Sequence, residues 1–170
     1  MTVTQNLDAR SATAPYTVPG LSSDVAASLV QTLQERLYDL NELHLTLKHA
    51  HWNVQGPNFI AVHEMLDPQV DQARAFADEI AERIVTLGHP AIGTPGALVA
   101  ARDHDDYGVG FADTRRHLEA LVEVYDRVIV GFRESIKRSG EVDPITEDVL
   151  IGHSKALEKS QWFLRAHLEQ

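Results

Sequence analysis

The stretch Phe59–Leu87, FIAVHEMLDPQVDQARAFADEIAERIVTL, decides the fold. Phe59, Val62, Leu66, Val70, Ala73, Ala77, Ile80, Ile84 and Leu87 recur at steps of three and four, the repeat of one helix face pressed on a core. At about 100° per residue, positions 63, 67, 71, 74, 78 and 82 fall in a second, polar stripe that flanks the apolar one. Pro68 removes one backbone donor, so a kink is expected near 64–68.

The same period extends to both sides. Upstream, Ser22, Ser23 or Asp24 can cap a helix whose stripe Leu29, Leu33, Leu37, Leu40, Leu47 carries to about Trp52, and Gly56-Pro57 punctuates the link. Downstream, Gly88 and Pro90 stop the second helix. Thr94-Pro95 then reads as an N-cap followed by proline at the first helical position, opening a short helix over roughly 95–102. An acidic loop follows at Asp103, His104, Asp105 and Asp106. A third long helix carries Leu118, Leu121, Val122, Tyr125, Val128, Ile129, Phe132 and Ile136 to near Gly140. The fourth begins about Pro144 and runs through Val149, Leu150, Leu157, Phe163 and Leu164. No stretch alternates with period two, and the expectation is an all-α four-helix bundle over 23–170 with a short helix in the long crossover. Residues 1–22 lack periodicity, end in Pro19-Gly20 and read as a flexible tail.

Composition narrows the chemistry. The chain has 170 residues, the size of one domain. No run approaches the ~20 apolar residues of a membrane span and the first residues lack a signal-peptide layout, so a soluble cytoplasmic protein is expected. It contains no cysteine, which excludes disulfides, thiolate metal sites and cysteine nucleophiles, and any metal must be held by His, Asp and Glu. Fifteen basic against 25 acidic residues leave a formal charge of −10, a field that repels phosphate backbones and draws cations. Nucleotide-binding glycine loops and the GxSxG elbow are absent. His63-Glu64 resembles the start of HExxH, but Asp67 stands where a zincin needs histidine, and no histidine has a glutamate three positions before it.

The polar stripe supplies a different site. His63 with Asp67, and Asp78 with Glu82, are each one turn apart on a shared face, a spacing at which two side chains converge on one ion. Eleven residues separate Asp67 from Asp78, about 16.5 Å along the axis, so the two pairs cannot share an ion within one chain. They are, however, placed symmetrically about a point between Gln72 and Ala73. Two copies of this helix packed antiparallel across a two-fold axis would set each His63/Asp67 pair level with Asp78/Glu82 of the other copy, with Asp71 opposite Arg74. His51 continues the first helix's inward stripe and is a fifth candidate ligand, while the neighbouring Trp52 could screen the site from water. Two imidazoles and three carboxylates suit Fe(II) or Mn(II), with Zn(II) competing on affinity.

The stretches His49-Ala50-His51-Trp52-Asn53, Gly56-Pro57-Asn58-Phe59 and Val62 to Asp67, then Asp78 with Ala81-Glu82-Arg83 and Gln161-Trp162-Phe163, resemble the Dps family of mini-ferritins over residues 22–169. That resemblance implies a ferritin-like bundle assembled from two-fold dimers into a twelve-subunit shell. It further implies ferroxidase sites between subunits, with His51, His63 and Asp67 from one chain and Asp78 and Glu82 from its mate, and Trp52 beside them. Two Fe(II) ions per site would be oxidised, preferentially by hydrogen peroxide, and the ferric product stored inside. Iron entry in the family runs through acidic three-fold channels, for which Glu141, Asp143, Glu147 and Asp148 are the candidates here. The alternative is a stress-induced, chromosome-compacting DNA-binding protein with iron oxidation secondary. Lysine-rich tails commonly serve that role in the family, whereas residues 1–22 hold one arginine and no lysine, so DNA is not the favoured partner.

Overall fold

The computed structural model describes residues 16–169. Most of the tail expected over residues 1–22 therefore lies outside the described residues. Four long helices follow: α1 (Ser23–Asn53), α2 (Phe59–Thr86), α4 (Thr114–Gly140) and α5 (Pro144–Leu168), with the short α3 (Pro95–Ala101) in the crossover between α2 and α4. α1 packs along α2 and α4 along α5, and α1 also meets α4, which closes the bundle.

Local chemistry sets the ends. Ser22 caps α1 by accepting from the Val25 amide, Asp113 caps α4 through the Arg116 amide, and Asp143 caps α5 through Thr146, with Pro144 following. The α1–α2 turn needs left-handed backbone at Gly56 (φ 88°) and Asn58 (φ 64°), residue types that tolerate it. The core is the set of stripes read above: Leu33, Leu40 and Leu47 of α1, Leu66, Ile80 and Ile84 of α2, Leu121 and Phe132 of α4, and Leu150 and Leu164 of α5 are fully buried.

α2 is continuous through Pro68, which lies on an exposed face where water can take up the carbonyl that proline leaves unpaired. Two details differ from the expectation. Phe59 and Phe163 sit on apolar stripes yet are exposed: Phe59 is the first residue of α2, and Phe163 lies on the outer side of α5 while the adjacent Leu164 takes the buried position. A two-residue parallel pair, β1 (Val54–Gln55) with β2 (Ala112–Asp113), ties the end of α1 to the start of α4. Two residues present no period to read. Among the described residues, no helix is long and apolar enough to cross a membrane.

Candidate metal centre

His51 lies in the last turn of α1 and is buried, and His63 lies in the second turn of α2 and is half-buried. The two lock each other reciprocally. Nδ1–H of His51 donates to the His63 carbonyl at 2.9 Å, and Nδ1–H of His63 donates to the His51 carbonyl at 2.9 Å. Since a carbonyl can only accept, both Nδ1 atoms carry protons, and the tautomer so selected is the one whose lone pair, when the ring is neutral, lies on Nε2. The rings stack with centroids 3.6 Å apart and 21° between planes, with Phe59 against the outer side of His63 at 4.9 Å. A ligating histidine is held in this way, its second nitrogen fixed by a carbonyl so that the first aims at the metal.

Asp67 stands one turn beyond His63. Its Oδ1 is 3.3 Å from His51 Nδ1 and accepts from Lys48 Nζ at 2.6 Å. The Lys48 hydrogen bond, with the His51 and His63 imidazoles nearby, holds the Asp67 carboxyl below the usual carboxylate range, so it is ionised at neutral pH. The structure thus brings His51, His63 and Asp67 together and leaves Asp78 and Glu82 further along α2, exposed. Among the described residues, no three His, Asp or Glu side chains of one chain form a complete metal cluster.

Two adjoining hollows line the outer face of α1 and α2. One, about 570 Å³, is bounded by Lys48, Trp52, Asp67 and Asp71; the other, about 340 Å³, by Asn41, Ala77, Asp78 and Gly93; His44 and Arg74 border both. Trp52 is 66% exposed on this face, so in one chain alone it shields nothing. Asp67 thus borders one hollow and Asp78 the other.

The four acidic channel candidates divide. Asp143 is buried, and besides capping α5 it accepts from Arg83 Nη2 at 2.6 Å. Glu141 and Asp148 are exposed and Glu147 is half-buried at the same turn. Sequence reasoning missed Lys48, because a cation gives no signal in a search for metal ligands, and it missed the reciprocal carbonyl bonds, which exist only once α1 and α2 are paired.

Residues 30–170 match the ferritin-like domain family. A chain described as DpsA14 from Streptomyces coelicolor superposes with a TM-score of 0.91 at 57% identity, covering 94% of this chain and 95% of that one. A curated relative, the DNA protection during starvation protein of Mycolicibacterium smegmatis, is 53% identical over 91% of this chain and 84% of its own length. A Dps from Microbacterium arborescens in its high iron form is 34% identical, with a TM-score of 0.83 over 91% of this chain and 100% of that one. Bundle, crossover helix and family match define a ferritin-like protein. Within that class, the chain belongs to the Dps family. Its membership and fold support iron storage and protection as the general role.

Proposed function

We propose that this chain is the subunit of a homododecameric shell that oxidises Fe(II), preferentially with hydrogen peroxide, at sites shared across a two-fold axis, and stores the ferric product. The observation that carries the reading is the reciprocal His51–His63 lock, which presents two oriented imidazoles beside the ionised Asp67. The donor set is nitrogen and oxygen alone, as Fe(II) accepts. Asp78 and Glu82 of a second copy, level with these residues in an antiparallel α2 pair, complete two equivalent sites per dimer. Iron is the substrate: two Fe(II) give up two electrons, and hydrogen peroxide takes them with two protons to form two waters. The chain's residues bind the ions and hold them close together, and Trp52 becomes a lid only when the second copy covers it. We assign iron entry to the acidic turn bearing Glu141, Glu147 and Asp148, with Asp143 bracing that turn through Arg83.

Fe(II) oxidation with limiting peroxide tests this, followed by ferric absorbance. The assembled protein should accelerate oxidation over buffer, consuming about two Fe(II) per peroxide. His63→Ala should lower the initial rate at least ~10-fold. A rate equal to buffer removes the proposal.

The M. smegmatis relative is named for DNA protection, and direct DNA binding is the second reading. The charge of −10 opposes it. A gel-shift titration decides: retardation at low salt that fades as salt rises supports it, and none at low salt dismisses it.

A further inference from the structure

His51 sits in the last turn of α1, where a helix frays unless other parts of the fold hold it. Its ring is fixed from the α2 side by His63, and His49, two residues earlier and so about 200° around the helix, faces the other way. His49 Nε2–H donates to the Val109 carbonyl at 2.8 Å. Val109 belongs to the irregular crossover that precedes β2, and that segment is anchored in turn. Tyr107 Oη bonds His117 Nδ1 of α4 at 2.9 Å, its ring meets His49 edge-on at 5.8 Å, and Val54 pairs with Ala112. Asn53 Nδ2 donates back to the His49 carbonyl at 2.7 Å, a side-chain bond that braces the same last turn.

We propose that His49 is a positioning residue for the iron site: through Val109 it straps the crossover across the outer face of the last α1 turn and fixes where His51 presents its ring. The role rests on the reading of His51 as a ligand given above. It needs no contact with metal, because a displacement of about 1 Å in a ligand is enough to weaken a site.

Co(II), a stand-in that is not oxidised under the assay, is titrated into the assembled protein and read by its visible ligand-field absorption. His49→Ala should bind about 10-fold more weakly, with an altered band, as loss of a supporting hydrogen bond does at metal sites. His49→Gln keeps a side-chain N–H within reach of the same carbonyl and should restore both affinity and band. A purely structural role would lower the melting temperature and leave the band unchanged. Unaltered Co(II) affinity and spectrum in His49→Ala, or no rescue by glutamine, overturns the proposal. Should His49→Ala fail to assemble, Tyr107→Phe removes one hydroxyl from the same strap; weaker binding by several-fold is expected, and an unchanged titration overturns the role. Wild-type Co(II) binding by His51→Ala would instead remove the iron-site reading itself, and the positioning role with it.

Discussion

Nine histidines set this chain apart, and the structure divides them by what each ring nitrogen meets. His51 and His63 spend Nδ1 on carbonyls and keep Nε2 open. His153 is buried, stacks on Phe76 at 4.0 Å and bonds Glu79, and burial pushes its pKa down despite that carboxylate. His117 bonds Tyr107 and is likewise held neutral by burial. Among the carboxylates, Asp143 is committed to the fold. Burial raises its pKa, but the hydrogen bonds from Thr146 and Arg83 together with the guanidinium charge outweigh that and leave it below the usual value. A depressed folded-state pKa contributes stability that is fully present above the unfolded value near ~4 and is lost as pH falls through the folded one. Arg83→Ala should therefore cost about 3 kcal/mol at pH 7, where it strands a buried carboxylate. The deficit should shrink as pH falls, first as the unpaired carboxyl of the variant takes up a proton and then fully once pH passes below the depressed wild-type value. Denaturant unfolding at pH 7 and pH 3.5 reads the difference; a deficit independent of pH would show that Arg83 acts by packing alone.

At the scale of helices, burial imposes a period on sequence, and long helices in a bundle leave nothing else to impose one. The four long helices and the short α3 are thus legible to within a few residues, from Ser22, Thr94-Pro95 and Pro144, although the Thr94 side chain makes no capping hydrogen bond. Period reports only that a face is apolar and is silent on what covers it, which is why Phe59 appears among core residues but forms one wall of the His63 site. Pairings across helices are equally invisible. Arg36 of α1 is buried against α4, with Nη1 donating to Ser135 Oγ at 3.0 Å and Nε 2.9 Å from Asp39. Burial pushes Asp39 up to about 6 while Arg36 opposes the rise. Gly131 on α4 leaves the room: a Cβ there would fall on the guanidinium, 2.7 Å from its Cζ. Alanine is worth ~1 kcal/mol over glycine in an exposed helix. Here the displaced guanidinium dominates, and Gly131→Ala should destabilise by about 1–3 kcal/mol. A rise in melting temperature would mean that Arg36 finds an equivalent place.

For the whole molecule, the symmetry of the polar stripe about Gln72 and Ala73 matters more than any ligand taken singly. A solvated helix face has no reason to place His63/Asp67 and Asp78/Glu82 at equal distances from one point, and the groove along α1 and α2 carries Asp67 at one end and Asp78 at the other. The reciprocity has a consequence that separate intrachain sites would not share. On the proposed division of ligands, a dimer of one His63→Ala chain with one Asp78→Ala chain would collect both lesions in one site and neither in the other. Each variant assembled alone should be inactive in Fe(II) oxidation. Random co-assembly at equal amounts makes half of the dimers mixed, so about a quarter of all sites are intact. Denaturing the two variants together and reassembling them should recover about a quarter of the wild-type initial rate, while mixing without denaturation recovers nothing. If co-assembly is verified by differential tagging and activity still fails to return, the ligands are not divided between chains as the stripe requires.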